Sequence, residues 1–289
     1  MEAFSALIST VNSFVWGPWM LVLLVGTGIF LTFRLGFIQI FQLPYALKLA
    51  FSPAQQDRIS KGDISHFQAL MTALAATIGT GNIVGVATAV VLGGPGAVFW
   101  MWITALFGMA TKYGEAVLAI KFRVTDEKGE MAGGPMYYIE KGLGWKWLAV
   151  LFAVFGSVAA FGIGNLVQAN AVAGNMHDTF GVSPVLTGIL LAVFTALVIL
   201  GGVKSIGRWT SIIVPFMAIF YVLGGLYIIF SNLNLVGPAF AIIFDSAFSA
   251  EAGFGALIGT TIRFGVARGV FSNEAGLGSA PIAAAAAKT

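Results

Sequence analysis

The sequence has 289 residues, of which 58% are hydrophobic and only 9% are charged, and its mean hydropathy is +0.92. Soluble domains carry about 25% charged residues, so this composition excludes an ordinary soluble protein and predicts a membrane protein. The formal net charge of +3 reflects basic residues placed along one side of a membrane and does not indicate nucleic-acid binding. The absence of cysteine excludes disulfides, thiolate metal sites and cysteine nucleophiles.

Taken in chain order, the apolar segments predict seven membrane spans, since a span needs about 20 mostly apolar residues. These are residues 14–33, 66–92, 97–120, 147–174, 184–203, 211–230 and 254–285, the last of them broken. Residues 36–43 are amphipathic, too short to cross a bilayer and followed by Pro44, which predicts an interfacial helix. The longest polar connection is 121–146. The sequence stops inside the last predicted helix, which we interpret as a chain truncated at its C-terminus.

The basic residues test this topology. Eleven of the fifteen Lys and Arg residues fall in the connections 34–65, 121–147 and 203–209. The alternate connections contain none; these are residues 1–13, 93–96, 175–183 and 231–253. The positive-inside rule therefore predicts that the basic connections are cytoplasmic and that the N-terminus lies outside a cell membrane crossed several times.

The second predicted span contains a polar interruption at residues 76–85, where three glycines and two threonines surround Asn82. Irregular backbone at membrane depth survives only when it is buried in protein or lines a polar cavity. Freed carbonyls can then bind a cation, and the N-terminus of the following half-helix can hold a carboxylate. The run therefore predicts a solute-and-ion site. A helix-packing motif, Gly81-x-x-x-Gly85, is the alternative, while the glycine spacing and the absence of a βαβ unit exclude a dinucleotide fingerprint.

A second interruption, at residues 268–279, again sets glycines around Ser272 and Asn273. Paired broken helices at matching positions of two halves point to an inverted-repeat transporter. The alternative is a polar re-entrant loop or the end of a helix outside the membrane.

The fourth span carries Gly156, Ala160, Gly164 and Gln168 at intervals of four residues. The small residues predict close packing. An amide at membrane depth must find partners, so Gln168 predicts either a contact with a neighbouring helix or a contact with a ligand carboxylate or amine. Lys112 and Glu115, three residues apart on the third span, predict an internal ion pair. No hydrolytic or phosphate-binding motif is present, which argues against an enzyme.

Several of these motifs, in this order along nearly the whole chain, resemble the bacterial and archaeal alanine or glycine:cation symporter family. The matching segments are 79–89 (GTGNIVGVATA), 93–102 (GGPGAVFWMW), 109–115 (MATKYGE), 133–138 (GGPMYY) and 272–278 (SNEAGLG).

The resemblance implies an all-α polytopic transporter with a LeuT-like fold, in which two inverted five-helix repeats follow one extra helix. On this sequence, the extra helix and interfacial segment would be residues 1–65 and the first repeat 66–230. Residues 254–289 would be only the first helix of a second, incomplete repeat. In that fold the first helix of each repeat is unwound to form the site and the third helix of the first repeat closes it.

The implied function is symport of Na⁺ with alanine, glycine or another small neutral amino acid, with Na⁺ as the coupling ion and no other cofactor. The implied substrate-binding residues are Thr80, Gly81, Asn82, Gln168, Ser272 and Asn273. Backbone carbonyls of Ala76, Ile78 and Gly79 would bind Na⁺, a hard cation that suits oxygen ligands. A proton-coupled permease of the same architecture and a channel are the competing interpretations.

The topology gives the first testable prediction. Because the chain has no cysteine, one introduced at Lys128 is expected to be shielded from a membrane-impermeant thiol reagent in intact cells, whereas one at Asp178 is expected to react. The measurement is labelling before and after permeabilisation. The reverse pattern would contradict the assigned orientation.

Overall fold

The structure is a computed structural model that describes residues 2–52, 61–248 and 259–289. The described residues are almost entirely helical. Their only paired strands form an antiparallel hairpin with two residues in each strand, in which Val124 pairs with Ala132 and Thr125 with Met131. The all-helical prediction is therefore confirmed for this part of the chain.

Long apolar helices are separated along the chain by shorter helices and turns. In chain order the elements are α1 (Glu2–Val15), α2 (Pro18–Arg34), α3 (Ile38–Phe41), α4 (Leu43–Phe51), α5 (His66–Thr77), α6 (Thr80–Gly93), α7 (Ala97–Phe122), β1 (Val124–Thr125), β2 (Met131–Ala132), α8 (Pro135–Tyr138), a π-helix (Ile139–Leu143), α9 (Lys146–Phe161), a second π-helix (Gly162–Leu166), α10 (Val167–Phe180), α11 (Pro184–Ile199), α12 (Gly202–Ser231), α13 (Leu233–Ala247), α14 (Thr260–Asn273) and α15 (Ala280–Ala284).

Among the described residues, five helical segments are long and apolar enough to cross a membrane, which supports a polytopic membrane protein. They are Phe4–Arg34, His66–Gly93, Ala97–Phe122, Lys146–Phe180 and Gly202–Ser231. The predicted fifth span, 184–203, corresponds to the shorter apolar helix α11, because the helix ends at Ile199 and α12 begins at Gly202. Residues 254–258 of the predicted seventh span lie outside the described residues; the remainder contains α14 and α15, separated by the non-helical residues 274–279.

Several predicted connections are helical in the structure. Residues 2–15 form α1, and most of the predicted connection 231–253 is α13. Lys204 and Arg208 lie on the first turns of α12 rather than in a loop. The predicted interfacial segment 36–43 contains α3 and the first residue of α4, which begins at Leu43. Pro44 lies in the first turn of α4, where proline costs no hydrogen bond.

The chain divides into two compact units, each made of three separate segments. The first unit comprises Met1–Phe41, Gly81–Tyr113 and Gly224–Leu277. The second comprises Gln42–Thr80, Gly114–Leu223 and Gly278–Thr289. These two units do not coincide with the division that the sequence predicts, into one extra helix and two repeats. That division stays a prediction.

In the first unit, α14 packs closely against α7 because its glycines have no side chain. A Cβ atom added to Gly265 would lie 2.6 Å from the Ala97 carbonyl oxygen, and one added to Gly269 would lie 3.0 Å from Thr104 Cβ. The other side of α14 buries Val266 and Val270 against Leu21 of α2. This packing fixes the end of α14, where Ser272 and Asn273 lie.

In the second unit, α5 packs against the beginning of α12. The Thr72 and Thr210 hydroxyl oxygens are 3.1 Å apart, within hydrogen-bond distance. Ile64, which is 1% exposed, lies against Gly207, whose added Cβ would be 3.0 Å from the Ile64 side chain. Ser65 and Gln68 form a capping box that starts α5, so the first half of the broken span has a defined beginning.

The close approach of α14 to α7 predicts a large penalty for added volume. The substitution Gly265→Ala is expected to destabilise the protein by about 1–3 kcal/mol, because the new methyl group meets backbone and the β-carbon of Trp100 rather than a movable side-chain end. The measurement is the thermal unfolding midpoint of the detergent-solubilised protein.

The matched control is Gly188→Ala on α11, where an added Cβ meets nothing within 4 Å. That change is expected to stabilise by about 0.5–1 kcal/mol through helix propensity. Equal midpoints for the two variants would show that α14 does not pack on α7 in this way.

Candidate functional site

The membrane span His66–Gly93 is broken near its middle, at Ile78 and Gly79. Ile78 adopts an extended conformation, with φ −89° and ψ 102°, and its N–H still donates to the Leu74 carbonyl at 2.7 Å. The last carbonyls of α5 and the first N–H groups of α6 lose their regular helical partners at such a break. The negative end of one helix dipole and the positive end of another therefore meet within two residues.

The break is narrower than the sequence predicts. Helix α6 resumes at Thr80, so Gly81 and Gly85 are helical and buried. A Cβ added to Gly81 would lie 3.1 Å from the Phe271 ring and 3.3 Å from Ser272 Cα. The structure therefore contains both features that the sequence predicts as alternatives: Gly79 lies in a helix break, and Gly81 lies at a contact between two helices.

Gln168 lies beside the break, within the second unit. Its Oε1 accepts the Thr80 backbone N–H at 3.3 Å, which supplies a partner for a group that helix α6 leaves unsatisfied. Gly79 leaves room for this amide, since an added Cβ would be 3.3 Å from Gln168 Oε1. The sequence left two roles open for Gln168, a contact with a neighbouring helix or a contact with a ligand. The structure shows the first of these, made by the amide oxygen of Gln168.

Asn82 and Ser272 form a polar pair within the first unit. Asn82 Nδ2 donates to Ser272 Oγ at 2.9 Å, joining α6 to the last turn of α14. The next residue, Asn273, accepts the Ala275 backbone N–H on Oδ1 at 2.9 Å. The first bond brings together two predicted substrate-binding residues that are 190 positions apart in sequence, and Asn273, a third, is the chain neighbour of Ser272.

Two predicted site residues carry buried polar atoms that find no hydrogen-bond partner among the described residues. They are Thr80 Oγ1 in the second unit and Asn273 Nδ2 in the first. Buried polar side-chain atoms normally have a partner, and leaving one unsatisfied costs about 1–3 kcal/mol. Each atom is therefore a candidate contact for a ligand.

The second predicted interruption follows Asn273. Glu274 has a left-handed backbone at φ +55°, and Gly276 and Gly278 have φ +85° and +80°. Helix α15 then begins at Ala280. The backbone thus leaves the helix directly after Ser272 and Asn273, as the glycine pattern predicts.

A cavity of about 200 Å³ adjoins this end of α14 within the first unit. Its lining is apolar except for two side chains of the predicted site, Ser272 and Asn273. The other lining residues are Val86, Val98, Met101, Trp102, Ala105 and Gly269. The volume suits a solute of a few heavy atoms beside a small polar end.

Other predicted features have different surroundings. Ala76 is exposed on α5. Gly156, Ala160 and Gly164 are also exposed, and an added Cβ at Gly164 meets nothing within 4 Å, so the predicted close packing of these small residues is not observed among the described residues. The π-helix Gly162–Leu166 adds backbone between Ala160 and Gln168 and interrupts the four-residue spacing.

Two contacts escaped sequence reasoning. Phe271 covers Gly81, and its only sequence signal is its position next to Ser272. Tyr138 lies in the Gly-Gly-Pro segment, where burial and, to a smaller extent, the charge of Glu115 raise its pKa from 10.0 to about 12.

Comparison with known proteins identifies the family of this chain. The family model described as "Sodium:alanine symporter family" matches residues 1–289. The chain belongs to the sodium:alanine symporter family. This is a family of transporters, not of enzymes, which confirms the resemblance seen in the motifs.

Three relatives illustrate the similarity. The chain is 71% identical over 290 residues to the sodium/alanine symporter AgcS of Methanococcus maripaludis, covering 99% of this chain and 64% of that protein. It is 58% identical to an uncharacterized transporter of Haemophilus influenzae, covering 98% and 63%. It is 41% identical to the amino-acid carrier protein AlsT of Bacillus subtilis, covering 99% and 61%. The chain spans less than two thirds of the length of these relatives.

Proposed function

We propose that this protein couples the entry of Na⁺ to the uptake of alanine, glycine or another small neutral amino acid. One observation carries the proposal. A 28-residue apolar span is interrupted at its centre by Ile78 and Gly79, and a polar side chain from another helix, Gln168, meets the interruption. An interrupted helix is the feature by which many secondary transporters bind solute and ion near the middle of the bilayer.

The break supplies both kinds of backbone ligand that a zwitterion and a cation require. Carbonyl groups at the end of α5, from Ala76, Ile78 and Gly79, bind Na⁺ in this proposal. The positive end of α6, which begins at Thr80, attracts the substrate carboxylate. No covalent chemistry takes part.

The side chains complete the assignment. In the second unit, the Gln168 amide and the Thr80 hydroxyl bind substrate. In the first unit, Asn82, Ser272 and Asn273 do so beside Gly81. The unsatisfied atoms Thr80 Oγ1 and Asn273 Nδ2 support this choice, since a ligand with both donors and acceptors would satisfy them. The tight contact of Gly79 with Gln168 and of Gly81 with Phe271 favours a small substrate side chain.

Sodium is favoured over a proton as the coupling ion by the residue types at the break. Residues 76–85 contain no Asp, Glu or His, so a carried proton would need a titratable group elsewhere. Hydroxyl, amide and carbonyl oxygens are ligands suited to a hard cation. The sodium/alanine symporter AgcS, at 71% identity, supports the same pairing of ion and substrate.

The remaining proposals concern architecture. A LeuT-like arrangement of inverted repeats explains why both interruptions, at 78–79 and after Asn273, carry a polar residue pair. The positive-inside distribution of Lys and Arg supports an N-terminus outside the cell. A channel would also tolerate broken helices, but it would not accumulate solute against a gradient.

Two substitutions at Gln168 test the proposed substrate contact. Gln168→Ala removes both the acceptor for Thr80 and the amide donor, whereas Gln168→Glu keeps the acceptor and replaces the donor by a negative charge. Both are expected to weaken Na⁺-dependent alanine binding by ten- to over a hundred-fold, since a hydrogen bond to a charged group contributes about 1.5–3 kcal/mol.

The matched control is Asn175→Ala, because Asn175 bonds only the Ala171 carbonyl of its own helix in the described structure. That variant is expected to bind alanine as the unmodified protein does. The measurement is equilibrium binding of labelled alanine with and without Na⁺. An unchanged affinity of Gln168→Glu for alanine would show that Gln168 only stabilises the helix break and does not contact substrate.

A further inference from the structure

A short extended segment precedes α5 and is paired along its length with the end of the described chain. The N–H groups of Asp63 and Ile64 both donate to the Ala286 carbonyl, at 2.8 and 3.2 Å. In return, the Lys288 N–H donates to the Ile64 carbonyl at 2.9 Å. All these residues belong to the second unit.

Arg123 fastens this pairing from a third segment. It follows the last residue of α7, and its guanidinium donates four hydrogen bonds to backbone carbonyls. Nη1 donates to Ala285 at 2.9 Å and to Ala287 at 2.7 Å. Nη2 donates to Lys61 at 2.8 Å and to Thr289 at 3.1 Å. We call Arg123 with residues 61–64 and 285–289 the latch.

Other contacts hold residues 61–64 in the same place. The Asp63 carboxylate accepts the Met131 N–H of β2 at 2.7 Å. Gly62 has φ +152°, and an added Cβ would lie 2.5 Å from the Ala287 carbonyl oxygen, so only glycine allows this approach. The side chain of Ile64 is buried against Gly207 of α12. The segment is therefore fixed from three sides.

The geometry of the latch requires an arginine. A guanidinium is planar and directs several N–H groups along fixed directions, so one side chain can bridge carbonyls of two segments. A lysine ammonium carries the same charge but has three donors on one atom and cannot span the same four oxygens. The positive charge strengthens each bond relative to a neutral donor.

The latch controls the position of α5, because residue 64 leads directly into the capping box of that helix. Helix α5 has 12 residues, hence a length of about 18 Å, and it ends at the break where Gln168 meets Thr80. One end of α5 is thus held by Arg123 and the other meets a proposed ligand-binding residue.

We propose that Arg123 is a positioning residue for transport. The latch holds α5 in the position that closes the transport pathway on the side of the membrane where the basic connections lie. Release of the latch is the step that opens the pathway on that side. The proposal rests on the proposed function for its role in transport. The three latch segments all fall on the membrane side predicted for the basic connections, which is where such a closure would act.

A single-cysteine experiment tests the latch independently of transport. Ala69→Cys places a thiol at a half-buried position of α5, and the 289 residues of the sequence contain no other cysteine. In detergent, Arg123→Gln is expected to raise the alkylation rate of this cysteine by about tenfold or more, because a hydrogen bond to a charged group contributes at least that factor to a local opening equilibrium. Arg123→Lys is expected to give a similar increase.

Two controls separate local release from general unfolding. Arg208→Gln makes the same chemical change at an exposed arginine of α12 and is expected to leave the rate unchanged. Ala149→Cys on α9, at a position 2% exposed, is expected to stay unreactive in the Arg123 variants. Equal increases at positions 69 and 149, no increase at 69, or wild-type behaviour of Arg123→Lys would each overturn the latch.

A binding measurement then links the latch to transport. Arg123→Gln is expected to weaken Na⁺-dependent alanine binding by about tenfold per folded molecule, although Arg123 is not a proposed ligand. Unchanged binding, together with raised alkylation, would overturn the positioning role. If the unmodified protein binds no alanine, the proposed function fails, while the alkylation result still decides whether Arg123 holds α5.

Discussion

The fold depends on one constraint: backbone N–H and carbonyl groups at membrane depth must find partners within the protein. A continuous helix satisfies them automatically, so an interruption needs compensating contacts. At Ile78 and Gly79 the structure provides them, since Gln168 accepts the Thr80 N–H and the Ile78 N–H still reaches Leu74. Groups that remain exposed by such a break are the ones that a cation and a carboxylate can use.

The interruptions were predictable because their signals are local. Glycines beside an asparagine and hydroxyl side chains, inside an apolar run, identify both breaks. The extent of the first break was not predictable. Gly81 looks the same in sequence whether it loosens backbone or admits Phe271, and only the packing of α6 on α14 decides between them.

Other features lay beyond sequence patterns for different physical reasons. Helix α13 is 15 residues long and contains Pro238, so a search for 20-residue spans treats it as a connection. The four carbonyl partners of Arg123 lie in segments up to 166 positions away, and no spacing rule relates them. The π-helix before Gln168 changes the helical periodicity, so Gln168 does not lie on the helix face that a four-residue repeat predicts for it. In each case tertiary contacts decide the outcome.

The central claim is that ion and substrate bind at the break formed by Ile78 and Gly79 and at the first turn of α6. Hydrogen–deuterium exchange of the protein in detergent tests it most directly, because amides at a helix break exchange through small local openings that a bound ligand suppresses. Na⁺ with alanine is expected to slow exchange in the peptide covering residues 78–82 at least about tenfold, with no change in α11. Equal exchange in this peptide with and without both ligands, under conditions where alanine is bound, would contradict the account.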